Sequence, residues 1–115
     1  MITGLNLNEV FDYTIEGDTE SPTVWKLGVI RSDLFAMLTG EEGDSIQKAY
    51  KYLQVSLKGW ENFSAPFSSQ EGSLFGEKMQ FVPMEVLGQI PLWAVNKLAK
   101  KIIEINQVSE KERKN

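Results

Sequence analysis

Histidine and cysteine are both missing from the 115 residues of this chain. His is the one side chain whose ordinary pKa lies near neutrality, and it is the commonest general base and metal ligand. Cys supplies the other common nucleophile and the thiolate ligands of structural metals. Their absence excludes zinc fingers, Cys–His nucleophiles, Ser–His–Asp triads and disulfides. Long hydrophobic runs are missing too. None approaches 18 residues, so no transmembrane helix is expected. The first residues, Met1-Ile2-Thr3-Gly4-Leu5-Asn6-Leu7, lack the basic start and apolar core of a signal peptide. A phosphate-cradling loop is also absent, because the pair Gly40 and Gly43 encloses two Glu residues where a cradle needs backbone N–H groups and a Lys.

What is present reads as one globular domain over residues 1–108, with a charged C-terminal tail at 109–115. Hydrophobic residues make up 42% and charged residues 24%, values that permit an ordinary core without staples. The net charge of −4 is unevenly placed. Residues 1–96 hold 6 Lys/Arg against 13 Asp/Glu, and residues 97–115 hold 6 against 3. An acidic body repels phosphate backbones, and the basic end has no aromatic residue to stack on a base, so no nucleic-acid partner is expected.

The pattern of apolar residues predicts an α+β fold, a small antiparallel sheet or hairpin packed against three or four helices. Val10–Glu16 alternates, with Phe11, Tyr13 and Ile15 on one face, as a half-buried strand does. Gly17–Pro22 is a turn. Thr23–Ile30 reads as a second strand, with Trp25, Leu27 and Val29 inward. Ser32 is placed to cap a short helix that Gly40 ends in the left-handed conformation. Asp44 or Ser45 caps the clearest amphipathic segment, in which Ile46, Ala49, Tyr50, Leu53, Leu57 and Trp60 recur at helical spacing to an end near 58–60. Lys48, Lys51, Gln54 and Lys58 fall mostly outside that stripe.

Residues 61–82 carry four Phe among Gly, Ser and Pro. They read as an irregular connection containing a short hairpin, Gly72–Phe75 with Lys78–Val82. Pro83 opens a short helix over Met84–Gln89, and Pro91 opens the last long one. Its stripe is Leu92, Val95, Leu98, Ala99, Ile102 and Ile105, with Trp93 and Ile103 beside it. Ser109-Glu110-Lys111-Glu112 has capping-box form.

No constellation of catalytic residues emerges, so no catalytic site, cofactor or metal is expected. The acid clusters Glu16/Asp18/Glu20 and Glu41/Glu42/Asp44 lack the alternating donors, central Gly and closing Glu of a calcium loop, and read as solvated turns. Recognition rests on aromatic residues. Trp25 and Trp60 suit the core. Trp93, flanking the stripe of its helix, and the Phe-rich segment suit an interface. The candidate partner-binding residues are Phe63, Phe67, Phe75 and Trp93.

The stretch Asp18-Thr19-Glu20-Ser21-Pro22-Thr23-Val24-Trp25-Lys26-Leu27-Gly28 resembles the N-terminal part of small proteins from the structural-gene clusters of tailed phages, many of them described as tail assembly chaperones. Leu57–Phe63, Ile90-Pro91-Leu92 and Glu104–Asn115 add to that resemblance. It implies a phage morphogenesis protein, a tail assembly chaperone or minor head or tail factor, working by protein–protein contact without catalysis. The implied partner is a phage structural protein, with self-association allowed, and the implied location is the host cytoplasm or the virion. The alternative is a phage-encoded inhibitor of a host defence protein, with an acidic surface that mimics nucleic acid.

Overall fold

A computed structural model describes residues 1–107. The charged tail and the capping box at Ser109–Glu112 lie outside the described residues. In chain order the elements are β1 (Val10–Tyr13), β2 (Val24–Gly28), α1 (Ser32–Gly40), α2 (Ser45–Ser56), β3 (Leu57–Glu61), β4 (Gln70–Leu74), β5 (Glu77–Phe81), α3 (Met84–Leu87) and α4 (Leu92–Gln107). The fold is α+β, as the apolar pattern predicts. Strands β1, β2 and β3 form an antiparallel sheet in that order, and β4 and β5 form a separate hairpin.

The first two strands pair with Tyr13 opposite Trp25 and Phe11 opposite Leu27. They are shorter than the alternation suggested. Ile15, Val29 and Ile30 are buried just beyond the strand ends, so the apolar pattern outruns the hydrogen-bonded ladder. Lys26 projects from the middle strand toward both neighbours. It bonds Asp12 at 2.8 Å and faces Glu61 at 3.6 Å, and the Asp12 bond raises its pKa above the ordinary lysine value.

The main departure from the sequence reading is β3. The periodicity carries the second amphipathic helix to residues 58–60, but α2 stops at Ser56. Leu57 turns the chain into extended geometry at φ −73° and ψ 119°, and Leu57–Glu61 pairs with β2 across the register Trp25 opposite Trp60. The physical reason is local weakness meeting a distant partner. Gly59 opposes helix continuation, and the open edge of β2 offers a ladder of backbone bonds, broken by one register shift between Lys26 and Leu27. Ser56 seals the corner. It is fully buried, and its Oγ donates to the Gly28 carbonyl at 2.7 Å. Ser56→Ala is expected to cost about 1–3 kcal/mol, because that carbonyl loses its partner away from water. A urea melt reads the loss directly. Past the corner, the stem of Lys58 lies over Gly28, where a Cβ would come within 2.6 Å of Lys58 Cε. Desolvation of Lys58 lowers its pKa.

The helix ends also differ from the sequence pattern. Arg31, not Ser32, occupies the cap position of α1 and supplies no side-chain cap bond, while the Asp33 carboxylate accepts the Leu34 N–H at 2.9 Å. Arg31 also pairs with Asp33 and reaches Glu77 at 2.7 Å, tying α1 to the β4–β5 hairpin. Arg31 holds the Asp33 carboxyl below its ordinary pKa. Gly40 ends α1 without entering the left-handed region; Gly43, at φ +146°, is the residue that needs glycine there. Asp44 caps α2 as expected, accepting the Ile46 N–H at 2.8 Å. Gln54 is buried rather than outward, because its backbone carbonyl and side-chain amide both bond the Val82 backbone.

The hairpin at 70–81 turns through Phe75 at φ +53° and Gly76 at φ +79°. Two adjacent positive φ values suit the right-handed twist of paired strands. Phe75 is therefore a turn residue and not the last residue of a strand.

One apolar core joins the elements. Its centre is the α2–α4 contact, where Leu53, Val95, Leu98 and Ile102 are fully enclosed. The buried face of α4 is Ala94, Val95, Leu98, Ala99, Ile102 and Ile105. Leu92 belongs to the predicted stripe but stands 45% exposed in the first turn, where Ala94 and Val95 take the buried positions.

Candidate functional site

Beneath the Phe-rich segment lies a cluster of rings built by the sheet. The β2–β3 register places Trp25 and Trp60 side by side. Their centroids are 5.7 Å apart with the planes at 76°, an edge-to-face contact. Phe63 packs on both, at 5.1 Å and 5.0 Å, and Phe67 packs edge-on against Trp60 at 5.0 Å. Polar bonds fasten the segment above the rings. Trp60 Nε1 donates to the Ala65 carbonyl at 2.8 Å. Asn62, in the left-handed region at φ +59°, donates to the Ser21 and Pro22 carbonyls, and its own carbonyl accepts the Thr23 hydroxyl at 2.9 Å. The indole N–H of Trp25 is buried and finds no hydrogen-bond partner among the described residues.

The four residues expected to bind a partner therefore occupy different settings. Phe63 and Phe67 are half-buried members of the ring cluster, and Phe75 is half-buried at the hairpin turn, packed against the core. Trp93 is the outlier. It is 61% exposed on the first turn of α4.

Two of the four meet. A groove of about 440 Å³ runs between the start of α4 and the β1–β2 loop, and Phe63 and Trp93 both line it, with Trp25. Phe67 and Phe75 do not. Glu16 and Asp18 complete the groove from the loop side. Glu16 is exposed, and Asp18 is half-buried with Oδ2 accepting the Thr23 backbone N–H at 3.0 Å. In the sequence these two acids read as a solvated turn. The alternation ending at Ile15 points to the place where they emerge, but nothing local links them to a tryptophan 75 residues or more away in the chain.

A second groove of about 530 Å³ lies between the start of α2 and α4, floored by Ala49, Tyr52, Ala99 and Ile103 with Lys48 and Lys100 alongside. Tyr52 is held there by a hydroxyl–hydroxyl bond to Thr39 at 2.8 Å. Among the described residues no group of three carboxylates is placed to hold a metal ion, and no helix is long and apolar enough to cross a membrane.

Comparison with family models, curated proteins and solved structures finds no match for this chain.

Proposed function

We propose that the protein works by binding another protein and catalyses nothing, as a morphogenesis factor of a tailed phage: a tail assembly chaperone or a minor head or tail component. The observation that carries the binding reading is Trp93, a large ring left 61% exposed beside a groove already walled by aromatic residues. Trp is the residue type most enriched among the anchors of protein interfaces. The phage assignment rests on the resemblance of residues 18–28 and the shorter blocks to proteins of phage structural clusters. In this reading the partner is a phage structural protein, met in the host cytoplasm before or during assembly.

The test is affinity capture of the tagged chain from phage-infected cells, in parallel with Trp93→Ala, followed by mass spectrometry. A tail or head protein is expected with the native chain and is lost with the variant. Trp93→Ala keeps its melting temperature within about 2 °C, because an exposed side chain away from the core contributes roughly 0.5 kcal/mol or less. Capture of a host protein alone supports the inhibitor reading instead. Capture unchanged by Trp93→Ala overturns the assignment of the surface.

A further inference from the structure

The groove beside Trp93 has a marked chemical bias. Among the described residues ten line it: three are aromatic, two are carboxylates and none is Lys or Arg. The negative faces of aromatic rings attract cations, Trp most strongly, and a carboxylate at the rim adds a full charge to that attraction. Asp18 is pinned by its bond to the Thr23 N–H, which fixes the loop while leaving its charge in place. Glu16 is exposed. The closest cation in sequence on α4, Lys97, follows Trp93 by one turn and does not line the groove. The chain as a whole is acidic, with 16 Asp/Glu against 12 Lys/Arg, which favours the approach of a basic segment. The same chemistry operates within the fold one helical turn further along: Lys101 Nζ lies 5.5 Å from the centroid of the Tyr13 ring.

From this juxtaposition we infer that the groove receives a basic side chain, Lys or Arg, presented by a segment of the partner protein, with Trp93 and Phe63 as the ring surfaces and Glu16 and Asp18 as the counter-charges. The inference rests on the protein-binding reading and specifies the partner's chemistry. An uncharged apolar segment is the competing occupant, and it would use the rings without the carboxylates.

The test is a titration of the full-length, ¹⁵N-labelled chain with three capped peptides alternating Gly with Arg, with Gln or with Glu, followed by amide and indole N–H shifts. The Arg peptide is expected to move the signals of residues 15–18 and the Trp93 indole, and to bind about tenfold more tightly than the Gln peptide. The Glu peptide moves nothing in the groove. Trp93→Ala abolishes the shifts at 15–18, Glu16→Gln weakens them, and added salt weakens them further. Both variants alter exposed side chains, and their unperturbed signals elsewhere report an intact fold. Equal binding of the Arg and Gln peptides, shifts that survive Trp93→Ala, or no groove shift at saturating Arg peptide each overturn the inference. Partner capture that needs Trp93 but is indifferent to Glu16→Gln overturns the cation site and leaves the protein-binding reading standing. Groove shifts with the Arg peptide alongside failed capture do the reverse.

Discussion

Leu53→Ala and Leu98→Ala are each expected to destabilise the protein by about 2–5 kcal/mol, the range for truncating an enclosed leucine. Both side chains are fully buried at the contact between α2 and α4. The cost has two parts. The lost methylenes no longer leave water on folding, and the neighbouring Val95 and Ile102, themselves fully enclosed, cannot collapse into the space without leaving their own contacts. Against a total stability of about 5–15 kcal/mol for a domain of this kind, either change removes a large fraction. Chemical denaturation of the two variants reads the effect. Losses under about 0.5 kcal/mol for both would place the core elsewhere.

Trp60→Ala is expected to cost about 3 kcal/mol, the low end for removing a large aromatic from a packed site, since Trp60 is half-buried. It should also release the segment above it. Trp60 is the hub of the ring cluster, touching Trp25, Phe63 and Phe67, and its indole N–H holds the Ala65 carbonyl. Without it, residues 62–69 lose their packing surface and a polar tie. Limited proteolysis should then cut within 62–69 while α4 stays protected, and amide exchange should quicken over the same residues. A proteolysis pattern identical to that of the native chain would show that the segment is held by something other than this ring. Phe67→Ser follows the same logic on a smaller scale. Read from sequence alone, it changes binding and spares stability. Packed edge-on against Trp60, the ring contributes about 0.5–1.5 kcal/mol through that contact beyond its buried area, so the variant loses stability as well.

These contrasts mark how far local pattern reaches. The long stripe of α4, the Asp44 cap, the alternation around Trp25 and the punctuation at Pro83 and Pro91 each act within a few residues, so the chain declares them directly. The short hairpin was legible for the same reason, because Gly76 can take the positive φ its turn requires. The segment 57–61 was not. Leu57 and Trp60 continue the three-and-four spacing of α2, and over so few residues an apolar run does not distinguish helix from strand. Its fate is decided by β2, some 30 residues earlier, whose open edge rewards an extended chain with backbone hydrogen bonds.

The candidate site divides along the same line. Trp93 as a residue beside the apolar stripe was visible in the sequence, because one helix face has room for only so many buried positions. Its company was not. The groove draws on the β1–β2 loop, on β2, on Phe63 and on the start of α4, four stretches with no local relation to one another. Composition dictated a chain without histidine or thiol chemistry and with rings to bury; long-range strand pairing and helix docking chose which ring to leave in solvent and set two carboxylates beside it.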